Sequence, residues 1–279
     1  LVSSGSVSTT NLAASATPLD GMLASAKAVS ALFVTSLPSP INQNLVALFT
    51  STFLHNGSNR NAFLTDMTSY QPLIGMKFAN LGVDSIDPTG TIAQVHFTVL
   101  DSAGQILDRE SPGGAWGWQM KKDTATGVWQ FDGNRRVAHL QVRTYAVKGA
   151  CNPAVSNCSV SPAYQTGLYF NINNNQQNIG KAIVKGKGLP VGGVTLSAQP
   201  NTTWMKITTL NPNNCLVSCN LDYWHMSDAD IAKVTPNSVY TVELYDNTVT
   251  PVLIDTYSEM VPVAPVLNTA LSTLGYPAI

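Results

Sequence analysis

Charge is what this chain has least of. Lys, Arg, Asp and Glu supply 11% of its 279 residues, against about 25% in an average soluble protein, and 15 basic side chains nearly cancel 16 acidic ones. Basic residues cluster no further than the pairs Lys121-Lys122 and Arg135-Arg136. Without a basic patch the phosphate backbone has nothing to bind, which excludes nucleic acid as a partner. Long apolar runs are missing too. The longest, Met22 to Val34, is broken by Lys27 and small polar residues, and it falls short of the ~20 residues that cross a bilayer. No membrane span is expected. Nor does a charged n-region with an apolar h-region open the chain. Its Ser/Thr-rich start, Val2 to Thr10, is what is expected where a leader or lipid anchor preceded residue 1.

Templates for chemistry are also absent. There is no G-x-S-x-G elbow, H-E-x-x-H pair or EF-hand loop, so the common serine hydrolase, zincin and calcium-sensor readings have no anchor. Lys185-Gly186-Lys187-Gly188 lacks the Ser or Thr that must follow a phosphate-loop lysine and reads as a turn between strands. No cofactor, metal or catalytic residue is therefore assigned.

Cysteine is scarce but informative. Cys151 and Cys158 bracket one Asn/Pro/Ser loop, and Cys215 and Cys219 close another after Asn211-Pro212-Asn213-Asn214. Pairing within each loop is the simplest connectivity open to four cysteines. A four-thiolate zinc site competes with it, although the spacings C-x6-C and C-x3-C miss the usual C-x2-C knuckle. Disulfides together with low charge point to an exported protein: periplasmic, cell-surface or extracellular.

The length suits two domains of roughly 100–200 residues each. Residues 1–17 read as a flexible tail. Met22, Ala26, Val29 and Phe33 recur at helical spacing, predicting a helix that ends before Pro38. A second helix is predicted from Ser39 as cap and Pro40 as first residue to Gly57 as stop, with Ile41, Leu45, Leu48, Phe49 and Phe53 on one face and His55 at its C-terminus. A shorter helix follows around Ala62 to Met67. After Pro72 the period falls to two. Thr91 to Leu100 sets Val95, Phe97 and Val99 opposite Gln94, His96 and Thr98, and Ala115 to Lys122 sets Trp116, Trp118 and Met120 on one face. Val128 to Val137 and Ala138 to Val147 are expected to complete this sheet, giving residues 18–148 an α+β fold.

The run Trp116-Gly117-Trp118-Gln119-Met120-Lys121-Lys122, a turn, then Gly127-Val128-Trp129-Gln130-Phe131-Asp132-Gly133-Asn134 resembles the last strands of the nuclear-transport-factor/ketosteroid-isomerase superfamily. The resemblance covers about residues 20–140 and implies a curved antiparallel sheet wrapped round a helix as a cone, with a pocket but no particular reaction. Residues 149–166, rich in Pro, Ser and Asn, are expected to form the junction. Residues 167–279 are expected to be all-β, with runs at 167–172, 181–185, 193–198, 204–209, 239–245 and 252–257 that suggest a sandwich. There Thr235-Pro236-Asn237-Ser238-Val239-Tyr240 resembles the proline-to-tyrosine corner of fibronectin type III and immunoglobulin-like domains. The resemblance implies that the tyrosine hydroxyl bonds back to the preceding loop.

Four residues are candidates for lining a ligand site. His96, mid-strand in the cone, would need Asp84 or Asp87 to move protons, and it is expected to have neither within hydrogen-bond reach. Trp116 and Trp118, with Trp129, suit the wall of an apolar pocket as well as a plain core. Arg135, with Arg136, could meet an anion at the cone mouth or merely end a strand in solvent. His139 and His225 have no distinguishing context. Asn56-Gly57-Ser58 and Asn201-Thr202-Thr203 fit the glycosylation sequon and mark surface loops. The expected function is a non-enzymatic, exported binding or interaction protein whose partner is another protein or a small apolar ligand. One alternative is a ketosteroid-isomerase-like enzyme acting on a small apolar substrate through His96. Another is a subunit of an extracellular assembly that pairs through sheet edges.

Overall fold

The structure is a computed structural model that describes residues 17–38, 41–110, 117–149, 163–173, 178–200, 202–209 and 222–273. The four cysteines, Trp116, Ser39, Pro40 and Asn201 lie outside the described residues. The chain is mainly β and divides after Val137 into two compact units.

Helix α1, Pro18–Leu32, starts where Thr17 accepts a hydrogen bond from the Asp20 amide at 3.2 Å, with proline in the first turn. Met22, Ala26, Val29 and Phe33 recur every three or four residues and are all buried. Buried Ser25 fits among them because its hydroxyl donates to the Trp129 carbonyl at 2.5 Å.

The second helix is far shorter than expected. Helix α2 is only Gln43–Val46, capped by Asn42. Leu45, Leu48, Phe49 and Phe53 are buried as their spacing requires, but beyond Val46 the backbone leaves the helix to join a strand. The Thr50 amide donates to the Phe131 carbonyl and the Phe131 amide to the Leu48 carbonyl, while buried Asp132 accepts hydrogen bonds from the hydroxyls of Thr50 and Thr52. These tertiary partners satisfy groups that a helix would have satisfied internally. Gly57 accordingly stops no helix. With Asn56 it forms the left-handed turn (φ 85° and 50°) between β1, Leu54–His55, and β2, Ser58–Asn59. His55 sits in a strand and not at a helix C-terminus.

Helix α3, Arg60–Met67, and a 3₁₀ turn at Gln71–Leu73 lead into the sheet. Its strands are β3, Lys77–Ile86; β4, Ile92–Leu100; β5, Ile106–Glu110; β6, Trp118–Lys122; and β7, Trp129–Gly133. The order is β3-β4-β6-β7, all antiparallel, with β5 pairing the far end of β4. Long β4 is central, and β3 slips register against it twice, as bulges do in a bent sheet. Each hairpin loop opens on an aspartate that accepts backbone amides of its own turn. Asp87 takes Thr91 and Ile92, Asp101 takes Ala103 and Gln105, and Asp123 takes Ala125.

Residues 138–147 do not complete this sheet. Strand β7 ends at Gly133 (φ 79°), whose missing Cβ would stand 2.1 Å from the Leu54 carbonyl oxygen, and Arg135 also adopts a positive φ of 60°. Two left-handed residues turn the chain out of the ladder. The next strand, β8 (His139–Gly149), instead pairs along its whole length with β9, Ala163–Asn173. Leu140 and Val142 of β8 are buried, but alternation along a strand cannot say which sheet supplies the neighbour.

In the second unit β13, Tyr223–His225, joins the other edge of β9 to make the sheet β13-β9-β8. The remaining strands are β10, Ile179–Lys185; β11, Val194–Ala198; β12, Met205–Ile207; β14, Ser238–Asp246; and β15, Leu253–Val261. They form an antiparallel sheet ordered β12-β11-β10-β14-β15. Its alternate residues Ala182, Val184, Leu196, Val242 and Leu244 are fully buried. Two short helices lie among the unit's described residues, α4 (Asp228–Ile231) and α5 (Asn268–Thr273), and the Asp228 carboxylate ties them by accepting the Asn268 amide at 2.6 Å. The Tyr240 hydroxyl donates to the Lys187 carbonyl at 2.9 Å. Its partner is thus the β10–β11 turn and not the preceding loop that the tyrosine-corner resemblance implied. Lys185-Gly186-Lys187-Gly188 is that turn, and a Cβ on Gly186 would come within 2.3 Å of the Tyr240 ring. The glycine makes room for the tyrosine.

Candidate functional site

The first unit holds a cavity of about 270 Å³. One side of β4 faces it with Phe97 and Val99, residues on the same face by period two. Phe78 of β3, Trp118 of β6 and Phe131 of β7 extend that wall, and Leu107 and Asp108 of β5 reach its edge. Phe49, drawn onto β7 by the bridge described above, closes one end. Phe63 and Met67 of α3, with Tyr70, Leu73 and Met76 after it, form the opposite wall.

Ring packing holds this shape. Phe131 stacks on Phe78 at 5.5 Å and lies 5.4 Å from Phe49, while Phe97 meets Trp118 at 5.3 Å and Phe63 meets it at 5.8 Å. Such offset and edge contacts stabilise beyond the area they bury. Trp118 is 6% exposed, and the His55 ring stacks on it at 4.3 Å. Among the described residues no Lys, Arg or His lines the cavity. Its polar groups are the exposed carboxylate of Asp108 and the hydroxyl of Tyr70, which is 53% exposed.

His96 is not part of this lining. It projects from the other face of β4, and there the expectation about its partner fails: His96 Nδ1 lies 2.7 Å from Asp84 Oδ1, both side chains being about one-fifth exposed, 20% and 18%. Gly82, opposite His96 in the register, leaves space that the imidazole fills, since a Cβ there would lie 2.5 Å from Cε1 and Nε2. The bulges in β3 place Asp84 on the His96 face, and no sequence pattern reports a bulge. Asp87, the other carboxylate considered, caps the β3–β4 loop. Hydrogen bonds from the Thr89 hydroxyl and the Ile92 amide hold its pKa down to about 2.

Arg135 is a structural tie. Its guanidinium donates to the Thr52 carbonyl and lies 3.6 Å from buried Asp132, pinning the 50–53 segment to the end of β7. Arg136 is buried. The Asn56 sequon is the hairpin turn itself, its side-chain oxygen accepting from Asn134 Nδ2 at 2.9 Å.

A cluster that sequence reading missed lies on β13-β9-β8. Cross-strand register sets Arg143, Tyr169 and Tyr223 in one row, and Tyr145, Gly167 and His225 in the next. Over side-chain-free Gly167 the Tyr145 hydroxyl meets His225 Nδ1, and burial, with Tyr223 nearby, pushes the Tyr145 pKa up. Arg143 sits over the Tyr169 ring at 4.5 Å. Only strand pairing creates these rows.

Among the described residues no three His, Cys, Asp or Glu side chains converge as metal ligands, and no helix is long and apolar enough to cross a membrane. None of the family models, curated proteins and solved structures compared with the chain matches it.

Proposed function

We propose that the chain is an exported, non-enzymatic binding protein whose first unit, a cone of the nuclear-transport-factor type, takes a small apolar ligand. The second unit, in this reading, is a fibronectin-like sandwich that acts as spacer or adhesion module. The cavity carries the argument. Among the described residues its walls are seven aromatic side chains with Met, Leu and Val, and the polar groups, Asp108 and Tyr70, stand at the rim, the composition by which pockets bind apolar molecules and orient them at one end. No Lys, Arg or His among the described residues lines it to neutralise an anion, so the ligand is neutral or cationic. The His96–Asp84 pair favours the enzyme reading only for a substrate held on the outer face of the sheet, away from the cavity.

The test is titration with the neutral fluorophore N-phenyl-1-naphthylamine. Saturable fluorescence enhancement is expected in the native chain. It should be lost in Met67→Trp, where the larger ring enters the cavity, and kept in His96→Ala. No saturable binding, or binding indifferent to Met67→Trp, would refute the proposal.

A further inference from the structure

We propose a second binding site on the first unit: the open groove between α1 and the start of β3 binds an anionic amphiphile, a carboxylate head on a short apolar tail. The groove encloses about 560 Å³. One wall is a stripe of α1, Lys27, Ser30 and Ala31 at helical spacing, continued by Val34 just beyond the end of the helix. The other is Gly75–Phe78 with Ser102 of the β4–β5 loop.

The floor is apolar, with Ala26 and Met76 each 2% exposed, and Val34 at 63% leaves an apolar rim open to water. Among the described residues each wall carries one charged group, Lys27 on α1 and Lys77 on β3, and no Asp or Glu lines the groove. Elsewhere Lys185, Lys206 and Lys233 each face a carboxylate within 2.7 Å. Lys27 and Lys77 have no ion pair among the described residues. Two unpaired ammonium groups and two hydroxyls above an apolar floor complement a molecule that is anionic at one end and apolar at the other. Met76 and Phe78 line both groove and cavity, so the two recesses share a wall while differing in charge. Among the described residues Asp108 is the sole charged group of the cavity and the two lysines are those of the groove. Head-group charge therefore sorts ligands between them.

The experiment compares decanoate, decanol and decyltrimethylammonium, each monomeric and with tails that differ by one methylene at most, by amide chemical-shift titration of the full chain. Decanoate should shift residues 27–34 and 75–78 saturably, more tightly at low salt. Lys27→Gln and Lys77→Gln should each weaken it about three- to fivefold, and the double variant further. Both lysines are exposed, so these variants keep the fold. Met67→Trp should leave decanoate binding unchanged, which separates failure here from failure of the cavity reading. The proposal is overturned by an unchanged affinity in the double variant, by equal shifts from decanol or the cation at the same amides, by loss of decanoate in Met67→Trp, or by no saturable shift.

Discussion

His96 Nδ1 and Asp84 Oδ1 meet at 2.7 Å above Gly82, on the face of the sheet turned away from the cavity. The imidazole occupies the space of the missing Cβ, so the glycine and the histidine are energetically coupled. Gly82→Ala should destabilise by about 1–3 kcal/mol through overpacking, and His96→Ala by about 1 kcal/mol through the lost hydrogen bond. In the double variant the alanine methyl finds the space vacated, and alanine costs less than glycine in a strand. Urea denaturation should therefore show Gly82→Ala as neutral or stabilising in the His96→Ala background. Additive losses would refute the coupling.

Acid should loosen the hairpins. Hydrogen bonds depress the Asp87 pKa to about 2, mainly from the Thr89 hydroxyl, and lower those of Asp123 and Asp246, mainly from the amides of Ala125 and Val252. A carboxyl whose folded pKa lies below its unfolded value, about 3.9, contributes its stability above that value and loses it as pH falls through the folded pKa. The urea midpoint should fall between about pH 4 and pH 2. Asp87→Asn, which cannot titrate, should flatten that decline, and an unchanged slope would count against it.

At high pH Tyr240 should act in the opposite sense. Burial pushes its pKa up to about 12, above the unfolded value of about 10, so its contribution is complete below about pH 10 and fades as pH rises through about 12. Tyr240→Phe removes the bond to the Lys187 carbonyl and should cost about 1–2 kcal/mol at neutral pH. It should also blunt alkaline unfolding of the second unit, followed by near-ultraviolet circular dichroism. A variant as alkali-sensitive as the parent would assign that transition to other tyrosines.

Non-reducing peptide mapping is expected to recover Cys151–Cys158 and Cys215–Cys219. Four free thiols, or zinc bound at stoichiometric level, would remove the main argument for an exported protein.

Periodicity told which residues are buried more reliably than what conformation buries them. Met22, Ala26, Val29 and Phe33 are a helix face, and Val95, Phe97 and Val99 are a strand face, as their spacing requires, because a one-sided core imposes its period directly. Leu45, Leu48, Phe49 and Phe53 carry the same helical spacing and are equally buried, yet only Leu45 is in a helix, because the edge of β7 and the Asp132 carboxylate supply other partners for that backbone. Strand β8 alternates as clearly as β4, but its membership in the second unit depends on the left-handed turn at Gly133 and Arg135 and on pairing with β9. Local chemistry therefore determined the caps, the Asp-led turns and the inward faces. Tertiary structure decided whatever depends on which segments meet: the enclosure of the aromatic cavity by residues from Phe49 to β7, the bulges that carry Asp84 to His96, and the row that brings Tyr145 to His225 across Gly167. Those juxtapositions join residues far apart in sequence, and no local periodicity encodes a contact between them.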